Sequence, residues 1–183
     1  ATELGWRTKM IPLFAKAMDF DGGEYGNGIL SKHSFIQTRI VPLPYKEGNE
    51  PKIAVEAVVK LPSGDQIGFI STHLDYLEDE SVRINQVNEI NEVFLKNKYP
   101  TILVGDLNAE PGSKPIAILE EKWGSSYDKN NPLPTYPSSN PKITIDYVMF
   151  FPKEKWRVIN TEVIKDAVAS DHCAYLATIE LLD

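Results

Sequence analysis

The chain is expected to fold as an α/β domain whose strands pair mostly in antiparallel fashion. Strand-like runs rich in Val and Ile recur along the whole length, each short and bounded by Gly, Pro, Asn or Ser. Only two stretches carry helical spacing, and no internal repeat, low-complexity tract or linker divides the 183 residues. A chain of that length suits one domain, 1–183, able to bury roughly 70% of its unfolded surface.

The runs are Met10–Phe14, Gly28–Leu30, Ile36–Leu43, Ile53–Leu61, Gln66–Thr72, Thr101–Val104, Ile143–Phe151, Arg157–Ile164 and Ala174–Leu181. Leu61-Pro62-Ser63-Gly64-Asp65-Gln66 has the residues of a hairpin turn between two of them. Asp79 to Lys96 spaces Val82, Gln86, Ile90, Val93 and Phe94 as a helix does, with acids at its start and lysines at its end. A shorter helix is predicted from about Lys114 to Glu121, with Ser113 as N-cap. Asn130 to Pro141, rich in Pro, Asn and Ser, is a loop.

Composition narrows the classes. Apolar content is 42% and charged content 25%, ordinary for a soluble globular chain. No run of about 18 apolar residues appears, so no membrane span is expected. The single cysteine, Cys173, rules out an intrachain disulfide but assigns no compartment. The formal charge of -7 and pI near 5.0 argue against a broad basic face for nucleic acid. A carboxylate-rich metal site would add to that negative balance. The chain opens Ala1-Thr2-Glu3, which suggests a removed leader or a start inside a longer product.

The chemistry gathers where apolar runs end. Ile102-Leu103-Val104 leads through Gly105 to Asp106, with Asn108 two residues on. In an extended segment residues i and i+2 point the same way, so both groups would be presented together. Oxygen-bearing groups on a rigid support suit a hard divalent cation or a polarised phosphate. Three further segments share the pattern: Ser71-Thr72-His73, followed by Leu74-Asp75; Ile145-Asp146-Tyr147, a carboxylate inside an apolar run; and Ser170-Asp171-His172 before the last strand. Turn chemistry or a pairing of Asp146 with Arg157 would account for each alone. It does not account for all four at strand ends, with two of only three histidines among them. Unpaired buried carboxylates are costly, so these groups need each other, a metal or water. His33, in Ser31-Lys32-His33-Ser34, lacks such company and reads as loop.

This set, in this order, resembles the endonuclease/exonuclease/phosphatase superfamily, which includes pancreatic deoxyribonuclease, apurinic endonucleases, neutral sphingomyelinases, inositol polyphosphate 5-phosphatases and deadenylases. The resemblance spans nearly the whole chain: GGEYGNGILS at Gly22–Ser31, STHLD at Ser71–Asp75, GDLNAEP at Gly105–Pro111, TYP at Thr135–Pro137, IDYV at Ile145–Val148 and SDH at Ser170–His172. The GGEYGN segment is most similar to small bacterial members described only as metal-dependent hydrolases.

The resemblance implies a two-sheet, four-layer α/β sandwich of the deoxyribonuclease kind with its site at one edge. It implies that Asp106 and Asn108 face the scissile phosphate and the metal or attacking water, and that Asp171 joins the metal site. It implies that His172 contacts the phosphate while Asp146 fixes its tautomer, and that His73 donates to a non-bridging oxygen. Asp106 and the His172–Asp146 pair both stand as candidates to take the water proton. Tyr25 and Asn27 are weaker candidates for shaping the substrate pocket, and Arg83 and Gln86 are expected to pack and pin. The implied cofactor is Mg²⁺, with Mn²⁺ as substitute.

One departure is visible. The family has an upstream strand ending in Asn and another ending in a Glu that binds Mg²⁺; neither segment precedes Gly22 here. The expectation is a fragment with a weakened metal site, little activity, and exposed sheet edges that favour association with another chain. The implied reaction is hydrolysis of a phosphate ester. Three readings stand: a phosphodiesterase or phosphatase for a small or lipid-like substrate, mildly favoured by the acidic charge; a nuclease; and a non-catalytic binding member of the same fold.

Overall fold

A computed structural model describes residues 1–182. Its centre is a six-stranded sheet in the order β3-β4-β5-β6-β8-β7, formed by Phe35–Leu43 (β3), Lys52–Lys60 (β4), Gln66–His73 (β5), Thr101–Asp106 (β6), Gly124–Ser125 (β7) and Asp146–Phe151 (β8). Among the described residues only β5 and β6 run parallel. A parallel neighbour requires a crossover, and helix α2 (Ser81–Phe94) lies within it. Two hairpins, β1–β2 (Ile11–Phe20, Gly23–Ser31) and β9–β10 (Trp156–Ile164, Ala174–Leu181), each form a separate two-stranded sheet. The short helix α1 (Thr2–Thr8) adjoins β1, and α3 (Lys114–Lys122) adjoins α2.

Strand β4 shows how the layers are cemented. Its residues from Lys52 through Val58 are all buried, so both faces are covered. Ala54 faces the helices, in a core with Ile70, Leu103 and Met149 from the sheet, Val87, Ile90 and Phe94 from α2, and Ile116 and Leu119 from α3. Ile53, Val55 and Ala57 point the other way, against Ala15 and Ile29 of the β1–β2 hairpin. The other hairpin packs Trp156 against Ile67 and Phe150. The mixed α/β, mainly antiparallel architecture read from the sequence is therefore the one observed. The second sheet of the sandwich is present as two hairpins rather than one continuous layer. Beside the β9–β10 hairpin an apolar groove crosses Phe69, Ile102, Val104 and Val148 to reach Tyr175 and Leu176.

Several local readings change. Helix α2 is shorter than Asp79–Lys96, because Asp79 turns back to accept from the Ser81 amide and hydroxyl, leaving the acids ahead of the helix. Its buried stripe runs through Arg83, Gln86, Val87, Ile90 and Phe94, so Arg83 occupies the place expected for Val82. Ser113 is the N-cap of α3, yet its hydroxyl makes no cap bond. Ile143 is outside β8 and forms an isolated bridge with Tyr136. The Leu61–Gln66 turn closes as expected, with Gly64 at φ 100, a backbone conformation that favours glycine.

Candidate active site

The register of three strands builds the floor of the site. At the C-terminal end of the parallel pair, His73 is the register partner of Asp106. On the other side of β6, Asp106 is the partner of Asp146. One row of backbone thus carries an imidazole and two carboxylates at a single sheet edge. Gly105 makes the close approach feasible: its φ is 143, and a Cβ there would lie 1.8 Å from the Thr72 carbonyl oxygen.

Asp106 and Asn108 do share the cleft, by a route other than an extended strand. The strand ends at Asp106, and Asn108 adopts a left-handed φ of 48. Its main-chain N–H donates to Asp106 Oδ1 at 2.8 Å, an Asx turn, and its Nδ2 donates to the Leu74 carbonyl at 3.0 Å. A turn, rather than the two-residue strand period, brings the groups together.

The loop before β10 adds His172. It is stitched to the 130–141 loop by the Ser138 amide donating to the Asp171 carbonyl, the Ser138 hydroxyl to the Ser170 carbonyl, and the Cys173 amide to the Thr135 carbonyl. Thr135 is wholly buried, and its hydroxyl oxygen accepts from the amides of Ile145 and Asp146, which holds Asp146 at the start of β8. His172 Nδ1 lies 2.9 Å from Asp146 Oδ2, and its Nε2 lies 3.9 Å from Asp106 Oδ2. The Tyr136 ring packs on the imidazole with centroids 4.8 Å apart. Arg157 binds Glu180 instead of Asp146.

On the other flank His73 Nε2 lies 3.5 Å from Asp106 Oδ2, and Nδ1 is 2.9 Å from the Tyr25 hydroxyl. Tyr25 therefore touches the site through His73. The amide nitrogen of Asn27 donates to the carbonyls of Ile53 and Ser71, which ties the β1–β2 hairpin to β4 and β5 rather than facing the cleft. Asp171 lines the cleft and is exposed. Arg83 and Gln86 pin the loop after β5: Arg83 donates to the carbonyls of Asp75 and Leu77, and Gln86 exchanges bonds with the Asp75 amide and the Pro44 carbonyl. That loop sets Tyr76, 66% exposed, at the rim.

The electrostatics divide the site. Burial, then the nearby charge of Lys52, lowers the pKa of His73 to about 4, so it is neutral near pH 7. Burial raises that of Asp106 to about 6; the Asn108 amide opposes this and the charge of Asp146 adds to it. Burial works against a charged His172, but the hydrogen bond and charge of Asp146, joined by Asp106 and Asp171, outweigh it and raise its pKa.

The cleft encloses about 510 Å³. Its lining includes the acids Glu80, Asp106, Glu110 and Asp171, and Arg83 is the one Lys or Arg there among the described residues. No group of three His, Cys, Asp or Glu side chains is close enough to enclose a metal among the described residues. Sequence reasoning missed Tyr76 and the buried Lys52. Only the lysine left a signal, as a charge opening the apolar strand 53–59.

The chain belongs to the endonuclease/exonuclease/phosphatase family, whose model matches residues 5–172. Among solved structures it resembles a conserved protein of unknown function from Enterococcus faecalis, at 26% identity and a TM-score of 0.82 over 98% of this chain and 80% of that one. It also resembles D. rerio TDP2 complexed with single-strand DNA product, at 17% identity and a TM-score of 0.75 over 98% and 80%. A mannosyl-6-phosphatase from Bacteroides thetaiotaomicron matches at 15% identity and a TM-score of 0.69 over 93% and 77%. No curated protein sequence matches the chain.

Proposed function

We propose that the chain is a single catalytic domain that hydrolyses phosphate esters of small or lipid-like substrates by in-line attack of water, with a divalent metal. The observation that carries this reading is the row of His73, Asp106 and Asp146 at one sheet edge, met by His172 from the loop before β10 and opening into a cleft. His73 and His172 would reach the non-bridging oxygens from two sides, and Asn108 would add an amide to the same face. Donors held in place before charge develops stabilise the transition state without reorganisation. Asp146 would hold the His172 ring, while Asp106, or the His172–Asp146 pair, would take the water proton.

The donor chemistry suits Mg²⁺ in its usual enzymatic mode, held by one or two carboxylates and a substrate phosphate while several waters remain. Asp106, Asp171 and the Asn108 side-chain oxygen would hold it, with Mn²⁺ as substitute. When bound, the metal would supply Lewis acidity and neutralise charge at phosphorus. So few protein ligands favour weak binding and slow turnover, so millimolar metal is the working range.

The acidic lining favours a small substrate, since a polynucleotide backbone needs a track of Lys and Arg. The likeness to a DNA-bound TDP2 keeps a nuclease as the second reading. A binding-only role is disfavoured by the presence of Asp106, Asn108, Asp146, Asp171 and His172 together around one cleft. The two-stranded sheets β1–β2 and β9–β10 have edges without a partner strand among the described residues, which favours self-association at high concentration. The test is a substrate panel (an aryl phosphodiester, inositol phosphates, a sugar phosphate, sphingomyelin, RNA and DNA), run at millimolar Mg²⁺ and again with chelator. Hydrolysis of a small ester, abolished by chelator and by Asp106→Ala, is expected. Preferential DNA cleavage would move the assignment to the nuclease, and turnover indifferent to Asp106→Ala would end it.

A further inference from the structure

Lys52 opens β4 with its side chain only 2% exposed, and its ammonium has one carboxylate partner, Glu50 Oε2 at 2.8 Å. Burying an ammonium has a desolvation cost that one ion pair, here with a partly exposed Glu50, offsets only in part. The placement of this one therefore calls for another account. The Lys52 Nζ lies 5.8 Å from the centroid of the Tyr25 ring, and the Tyr25 hydroxyl lies 2.9 Å from His73 Nδ1. The Asn27 stitch to Ile53 and Ser71 holds this stretch of β2 over β4 and β5, which keeps Tyr25 against His73. Lysine, phenol and imidazole form one file leading to Asp106.

We propose that Tyr25 and Lys52 are positioning residues that hold His73 in a single tautomer, with its proton on Nε2 facing Asp106 and the cleft. The inference rests on the cleft being the phosphate-ester site. A neutral imidazole carries one N–H and one lone pair. Its Nε2 lies 3.5 Å from Asp106 Oδ2, where an N–H is attracted and a lone pair repelled. Nδ1 is then the acceptor, and the Tyr25 hydroxyl donates to it. A cation near the face of the phenol draws on its π density and strengthens the hydroxyl as a donor. The result is a fixed N–H aimed at the place a phosphate oxygen would occupy, which is the tautomer a donating His73 requires.

Long-range ¹⁵N–¹H correlation spectra of the imidazoles at neutral pH, on the metal-free chain, test this directly. Wild-type His73 is expected to show a protonated Nε2 and an unprotonated, hydrogen-bonded Nδ1. Tyr25→Phe should give a tautomer mixture and lower kcat by roughly ten- to a hundredfold, with KM changed less than about twofold, as for loss of a group that orients a ligand. Lys52→Met should act in the same direction and more weakly, and Lys52→Arg should restore both spectrum and rate. A protonated Nδ1 in the wild type, or a Tyr25→Phe chain with unchanged spectrum and kcat, would overturn the proposal. The spectrum needs neither turnover nor a folded Lys52→Met variant, so failure of the hydrolase reading and failure of the tautomer reading are separable.

Discussion

His73 and His172 approach Asp106 Oδ2 at 3.5 and 3.9 Å, from the β5 and β8 sides of β6, and their Nδ1 atoms meet opposite chemistry. That of His73 faces a hydroxyl with a buried ammonium behind it. That of His172 faces the Asp146 carboxylate, with Asp171 adding negative charge. Burial disfavours the cation at both, yet the pKa of one falls and that of the other rises. The residue type does not set the role; depth of burial and the charges around each ring do. His73 is suited to donate a fixed hydrogen bond, and His172 to carry a proton.

The largest effect is expected from removing what the two share. Asp106→Ala should lower kcat by about a thousandfold, the scale of losing a principal transition-state contact. Its circular dichroism spectrum should stay that of the wild type; a rate within tenfold of wild type would sink the site assignment. Gly105→Ala should act on one flank first. The added Cβ meets the Thr72 carbonyl at 1.8 Å and forces β5 from β6, parting His73 from Asp106. A loss of about 3 kcal/mol in urea unfolding is expected for such an incompatible backbone position.

Asp146→Asn addresses the other flank. It should lower kcat roughly ten- to a hundredfold, as loss of an orienting carboxylate does. It should also bring the His172 pKa down, which an NMR titration reads; an unchanged titration would mean Asp146 does not govern that ring. The smallest effect is the pH signature of the intact metal-free chain. His172 should protonate at higher pH than His73, which stays neutral until about pH 4. In the window from about 6.5 to about 4 the unfolded chain binds a proton at His73 that the folded chain refuses. Its contribution to stability therefore falls as pH falls through that window. His172 works the opposite way: its contribution is full below the unfolded pKa and is lost as pH rises through its raised folded value. Reversed titration order would break the comparison.

Much of this was legible along the chain. The Val- and Ile-rich runs became strands because a sheet buried on a face imposes its period on the sequence, as β4 does with Ala54 on one side and Val55 on the other. Asp106, Asp146 and His172 stood out because charges beside apolar runs are expensive without partners. Lys52 was illegible as part of the site, since its meaning comes from Tyr25 on a different hairpin. Tyr76 was illegible because its exposure depends on a loop pinned by Arg83 and Gln86 from α2. The α1 helix was missed, as seven residues with exposed Leu4 and Trp6 carry too short a pattern to read.

By itself the sequence determined which segments become strands and which polar residues stand at their ends, because hydrophobic period and turn chemistry are local properties. Tertiary structure alone decided which of those residues are register neighbours, which histidine meets a hydroxyl and which a carboxylate, and which is buried deeply enough to stay neutral. Those outcomes depend on strand order and burial, and the electrostatic cost of a charge is set by what packs around it in space, not by what flanks it in the chain.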